Sequence, residues 1–278
     1  MLPQSNYVRL NGYEVHYTEW GSANAPPLIL WHGLSRTGRD FDDIAHALSD
    51  TYRVICPDTI GRGLSQWSAR PDTEYCFAEY AKLASALLDT LLLGRVRWVG
   101  TSMGGALGIA AGATTLKGRI SHFVSNDMGP NLPPGPFERI KTYIGNSPDF
   151  ATMAELEAYY RKIYVPFGAH TDAQWRRMAE TGMRRLANGR ITTHYDPALV
   201  RQLFNFPDDF EQWEAYDALD TKMLVLRGVT SDLLLADVAQ AMTTRGPRAR
   251  IVEIPDCGHA PGLNVPEQIG IVREFLAT

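Results

Sequence analysis

Ser102 stands in Gly100-Thr101-Ser102-Met103-Gly104, with Gly105 following. A serine hydroxyl becomes a useful nucleophile when it is exposed on a sharp turn beside a base that takes its proton. Such a turn is crowded, so the positions two before and two after the serine must be small. A β-branched run, Val96 to Val99, leads into the motif, and a small-residue stretch, Ala106 to Ala113, follows it. That is the strand–turn–helix context the chemistry needs. His259, in Asp256-Cys257-Gly258-His259-Ala260-Pro261, is the expected general base. It lies in a loop directly after the last expected strand. The other histidines fall in strands, in the first helix, in an inserted segment or, for His32, in an early loop where it shapes the backbone.

The imidazole needs a carboxylate to hold its tautomer. Two acids follow strands and keep the chain order nucleophile, acid, base: Asp232, in Arg227-Gly228-Val229-Thr230-Ser231-Asp232, and Asp127, in Asn126-Asp127-Met128-Gly129. Asp232 is preferred, because the strand before it should neighbour the one that leads to His259. Asp127 stays open as the alternative acid, or as a turn cap at the entry to the inserted segment. An acyl oxyanion would need two backbone N–H donors. Met103, just after the serine, can supply one, and Leu34, in His32-Gly33-Leu34, the other.

These residues need a frame that brings loop ends together. Short β-rich runs alternate with helical stripes, the pattern of a mainly parallel α/β sheet covered on both faces. Tyr7–Leu10 and Glu14–Trp20 read as a hairpin around Asn11-Gly12. Leu28–Trp31, Arg53–Cys56, Val96–Val99, Ile120–Ser125, Lys222–Leu226 and Ala249–Ile254 read as strands. Between residues 129 and 217 the pattern is helical throughout. Thr152-x-x-Glu155 and Thr171-x-x-Gln174 are capping boxes, and Asp196-Pro197 is a third helix start. The expected division is a core of residues 1–128 and 218–278 and an inserted cap of residues 129–217.

Leu30-Trp31-His32-Gly33, Pro57-Asp58 with Gly61-Arg62-Gly63-Leu64-Ser65, the Ser102 motif, Ser231-Asp232 and Gly258-His259 occur in the order found in α/β-hydrolases, and the chain resembles that family over essentially its whole length. The resemblance implies an eight-stranded mainly parallel sheet with an all-helical cap between its sixth and seventh strands. It implies carboxylic ester hydrolysis by a serine hydrolase through an acyl-enzyme, on small-molecule esters of small to medium size and mostly apolar character, without a cofactor. Lactones, thioesters and carbon–carbon bonds are alternative substrates for the same triad. Relatives with an aspartate nucleophile, epoxide hydrolases and haloalkane dehalogenases, are disfavoured by Ser102. A receptor on the same fold is the reading from a different class, and multiple turnover separates it from an enzyme.

Composition fits this picture. Of the 278 residues, 45% are hydrophobic and 21% charged, and 27 bases against 31 acids give a formal net charge of −4. That balance favours neither nucleic acid nor an anionic membrane as a partner. The arginines at 176, 177, 184 and 185 read as one solvated helix face. No Cys or His spacing suggests a metal site, and the three cysteines do not suggest a disulfide framework. Residues 1–10 lack a leader pattern, so a cytoplasmic location is expected. Eleven aromatics of the insertion could supply pocket walls: Phe137, Tyr143, Phe150, Tyr159, Tyr160, Tyr164, Phe167, Trp175, Tyr195, Phe204 and Phe206. The sequence shows no convergent charged pair that would name a polar substrate.

Overall fold

The computed structural model describes residues 2–146 and 148–278; the side chain of Tyr143 lies outside what is described. β1 (Gln4–Leu10) and β2 (Tyr13–Trp20) form the expected hairpin, and Asn11 and Gly12 turn it with φ of 50° and 93°. β3 (Pro27–Trp31) leads through a short 3₁₀ turn into α1 (Asp42–Leu48), and β4 (Arg53–Pro57) follows. Thr37 caps the 3₁₀ turn by accepting from the Arg39 N–H. Next come α2 (Pro71–Glu74), α3 (Phe77–Thr90), β5 (Val96–Thr101), α4 (Met103–Ala113) and β6 (Ile120–Asn126).

The inserted segment holds α5 (Pro134–Ile144), β7 (Asp149–Phe150), α6 (Met153–Ile163), α7 (Asp172–Thr181), β8 (Met183–Arg185), β9 (Ile191–Thr193), α8 (Val200–Asn205) and α9 (Trp213–Asp217). The chain closes with β10 (Lys222–Gly228), α10 (Ala236–Met242), β11 (Arg250–Ile254) and α11 (Pro266–Leu276).

Eight strands form one sheet in the order β1-β2-β4-β3-β5-β6-β10-β11. From β4 onward every neighbouring pair is parallel; β2 alone runs against its neighbours. The carboxyl ends of β3, β5, β6, β10 and β11 therefore share one edge, where sites in such sheets assemble.

Strand side chains alternate between two faces, and the sheet divides its core accordingly. Ile29, Ile55, Trp98 and Val225 pack on one side with α3 and α4. Leu28, Leu30, Val54, Val99, Leu224 and Leu226 pack on the other with α1 and α11. The helix α4 is buried nearly all round, which its glycines and alanines permit.

The insertion is not all-helical. β7, β9 and β8 form a three-stranded antiparallel sheet. Strands of two or three residues are too short to show a period in sequence. Arg184 and Arg185 lie on β8, off the helix that carries Arg176 and Arg177, so the four do not form one face. Leu156, Tyr160, Trp175, Met178, Ala179 and Ile191 give this part of the insertion a core of its own. Its last helix packs differently: Tyr216 of α9 is fully buried in the main core and donates to the Met242 carbonyl at 2.7 Å. No helix among the described residues is long and apolar enough to cross a membrane.

Candidate active site

The turn between β5 and α4 holds Ser102 at φ 53° and ψ −118°, a strained conformation for a residue with a side chain. A Cβ on Gly100 would sit 2.1 Å from the Gly104 carbonyl oxygen, and one on Gly104 would sit 2.0 Å from the Trp31 carbonyl oxygen. Only glycine fits at either place. The Gly104 carbonyl also accepts from the Trp98 indole at 3.0 Å, which anchors the first turn of α4 to the sheet.

Ser102 Oγ lies 2.7 Å from His259 Nε2. His259 Nδ1 lies 2.8 Å from Asp127 Oδ2. An ionised carboxylate only accepts, so Nδ1 carries the proton and Nε2 is free to accept from the serine hydroxyl. Asp127 is fully buried and also accepts from the Gly228 N–H at 2.8 Å and the Ser231 hydroxyl at 2.6 Å. Its φ of 55° is a second strained backbone at the site. Asn126, wholly buried beside it, donates to Thr101 Oγ1 at 3.0 Å and to the Pro261 carbonyl at 2.8 Å. It links the strand end of the serine to the loop of the histidine.

The preference for Asp232 is corrected by this geometry. Its half-exposed carboxylate pairs with Arg139 of α5 at the cavity wall, and it does not reach His259. β10 does neighbour β11, as expected, but β6 lies between β5 and β10. Asp127, at the end of β6, is thus beside the strands of both Ser102 and Gly228. The long insertion separates Asp127 from His259 in sequence and not in space.

The relay opens into a cavity of about 700 Å³. Leu34 and Met103 line it next to Ser102. His32, at the base of the Leu34 loop, is fully buried. Its Nε2 accepts from the Thr59 N–H at 2.9 Å, so its Nδ1 donates to the Gly33 carbonyl at 2.7 Å. Burial pushes this imidazole down to about 4. His32 is a neutral brace for the loop, as its position suggested. Cys257, two residues before the base, is buried and its thiol is raised to about 11, chiefly by desolvation.

The cavity wall is mixed. Leu132, Ile140, Leu203, Phe210 and Leu233 give it an apolar lining. Of the eleven insertion aromatics named from the sequence, Tyr159, Tyr164 and Phe167 line it, whereas Tyr160, Trp175 and Tyr195 are buried and Phe204 is exposed. Charged pairs that the sequence did not reveal meet here as well. Arg36 holds Asp40 through two hydrogen bonds of 2.7 and 2.6 Å, with its guanidinium 5.0 and 4.8 Å from the rings of Tyr160 and Tyr164. Arg177 of α7 pairs with Asp43. The first pair is local, four residues apart, whereas Arg177 and Asp43 come from distant parts of the chain that no local motif joins.

A second relay shows that the hydrogen bonds alone do not make such a site. Ser5 Oγ lies 2.7 Å from His16 Nε2, and His16 Nδ1 lies 2.7 Å from Asp58 Oδ2. Ser5 sits in the flat strand β1, without the turn that frees backbone donors at Ser102.

A model of the alpha/beta hydrolase family matches residues 28–269. The chain belongs to the alpha/beta hydrolase family. It is 38% identical over 273 residues to a 3-hydroxybutyrate-oligomer hydrolase of Cupriavidus necator, a match covering 95% of this chain and 92% of that protein. It is 26% identical to a 2-(acetamidomethylene)succinate hydrolase of Mesorhizobium japonicum, over 92% of this chain and 88% of that one. Among solved structures, an alpha/beta hydrolase from Novosphingobium aromaticivorans superposes with a TM-score of 0.88 at 33% identity, covering 99% and 98% of the two chains. The relatives are hydrolases, in keeping with the hydrolytic reading of the sequence.

Proposed function

We propose that this alpha/beta hydrolase is a serine ester hydrolase whose substrates are short oligomeric esters of hydroxy acids. The observation that carries the chemistry is the continuous relay from Ser102 through His259 to Asp127 at the wall of a large cavity. In this reading Ser102 Oγ attacks the ester carbonyl and its proton passes to His259 Nε2. The Leu34 and Met103 N–H groups receive the oxyanion. His259 then gives the proton to the departing alkoxide, and water repeats the sequence on the acyl-enzyme. Asp127 orients the imidazole and stabilises its charged form. Residues 129–217 act as the cap that supplies much of the cavity wall.

Two observations support the substrate class. The Cupriavidus relative, matched almost end to end, is named for 3-hydroxybutyrate oligomers. The wall mixes apolar surface with ion-paired arginines, which suits a chain of short methyl-bearing units separated by polar ester groups. The test is a panel of linear 3-hydroxybutyrate dimer and trimer beside 4-nitrophenyl esters of increasing acyl length. The oligomers should be cleaved with the highest kcat/KM, and Ser102→Ala should lower turnover by about 10⁶-fold. Cleavage of long acyl esters with none of the oligomers would overturn the substrate class and leave the ester chemistry standing.

A further inference from the structure

Arg62 is fully buried within the Gly61-Arg62-Gly63 turn, yet it makes no ion pair with a carboxylate among the described residues. Its Nε donates to the Leu34 carbonyl at 2.9 Å, and its Nη2 lies 3.2 Å from the Met103 thioether sulfur. Nη1 donates to the Ile60 carbonyl and the Tyr80 hydroxyl, both at 2.8 Å. The guanidinium carbon lies 4.9 and 5.7 Å from the ring centres of Tyr80 and Tyr75. Taking an arginine charge out of water without an acidic partner is strongly unfavourable. Neutral dipoles and ring faces offset part of that cost. The charge is thus held by neutral groups, with no carboxylate partner among the described residues.

The two residues held along the Nε–Nη2 edge of this fork are the two assigned above to the oxyanion. We infer that Arg62 is a positioning residue for ester cleavage, which sets the spacing of the Leu34 and Met103 N–H donors and biases the site toward negative charge. The inference rests on the acyl-transfer reading of Ser102. The carbonyl of Leu34 is fixed by Nε, so the loop that carries its N–H cannot swing freely. The Met103 side chain is fixed by Nη2 at the first residue of α4. A planar fork does this and a flexible ammonium does not. The positive charge, set in a water-excluded interior, favours the oxyanion more than the neutral ester, which is the condition for accelerating the chemical step.

The same turn is attached to the insertion. Arg62 forms an isolated β-bridge with Tyr195, the Gly63 N–H donates to the His194 carbonyl at 2.9 Å, and the Asp196 N–H donates to the Gly61 carbonyl at 2.8 Å. Asp196 also accepts from Tyr75, one of the rings beside the guanidinium, at 2.6 Å. Seating of residues 194–196 and the geometry of the oxyanion donors therefore share one residue.

The experiment compares kcat and KM for 4-nitrophenyl butyrate, and the affinity of phenylboronic acid, in wild type, Arg62→Met, Arg62→Lys and Ser102→Ala. The boronate forms a tetrahedral anion on the serine and reports the oxyanion site. Arg62→Met should lower kcat on the order of 10²-fold, the cost of one oxyanion donor, with KM little changed and boronate affinity falling in step. Arg62→Lys should recover about tenfold of that loss through its charge. Should Arg62→Met fail to fold, Tyr80→Phe, which removes one anchor of the fork, should lower kcat about threefold at constant KM. Wild-type kcat in a folded Arg62→Met or Tyr80→Phe would overturn the inference. So would a loss seen only as raised KM with unchanged boronate affinity. Full activity in Ser102→Ala would instead sink the acyl-transfer reading itself.

Discussion

Asp127 accepts three hydrogen bonds, from an imidazole, a hydroxyl and a backbone N–H, while shut away from water. A buried carboxylate needs such partners to stay ionised. Replacing it by Asn keeps its shape but offers an N–H where the imidazole N–H must be received. Asp127→Asn should therefore lower kcat by about 10⁴-fold, the cost of the wrong tautomer in the serine-protease template. Asp232→Asn breaks only an exposed pair with Arg139 and should stay within about tenfold, or about 1.4 kcal/mol. Steady-state kinetics on both folded variants checks the pair, and the reverse ranking would move the acid to Asp232. His32 gives a second prediction, in stability. It stays neutral in the folded protein down to about pH 4, whereas the unfolded chain takes up the proton near 6.5. The unfolded state thus binds more protons in this window, so stability falls as pH drops from 6.5 to 4, by about 3 kcal/mol from this residue. Urea midpoints across that range should slope less steeply in His32→Asn. An identical slope would mean that His32 does not carry the effect.

The elements show why some features can be read from residues and others cannot. The glycines around Ser102 announce the turn because backbone atoms 2.0 to 2.1 Å from their missing Cβ atoms admit no other residue. That is a local constraint and leaves a local trace. Gly104→Ala should accordingly cost about 3 kcal/mol or more, since the Trp31 carbonyl belongs to a central strand and cannot move aside. Gly94→Ala, with nothing within 4 Å of the new methyl, should change a thermal midpoint little. The choice between two acids leaves no such trace. It depends on β6 lying between β5 and β10, and adjacency in a parallel sheet is decided by crossovers, not by the residues beside each strand. Capping shows the same contrast. Thr171 and Gln174 form a complete box over four residues, as their spacing says. The strands β7, β8 and β9 exist only because they pair with one another, so their sequences read as helix ends and turns.

On the scale of the whole molecule, a parallel sheet gathers loop ends along one edge, and residues of the inserted segment line the cavity in front of them. Ser102, Asp127 and His259 come from three such ends, and the cavity in front of them draws walls from the core loops and the insertion alike. The order nucleophile, acid, base was legible because each candidate follows a strand, although the sequence favoured Asp232 over Asp127 as the acid. The mixed character of the cavity was not legible, because Arg177 meets Asp43, and the rings of Tyr160 and Tyr164 meet Arg36, only when the insertion packs on the core. The proposed chemistry turns on one covalent event, acylation of Ser102 through His259. Its most direct test is intact-protein mass spectrometry with peptide mapping after brief exposure to a fluorophosphonate, in wild type and in His259→Gln. One adduct per chain is expected, on Ser102, formed far more slowly when His259 is replaced. An adduct on Ser5, Ser35, Ser65 or Ser231 in place of Ser102, or equal labelling without the histidine, would contradict it.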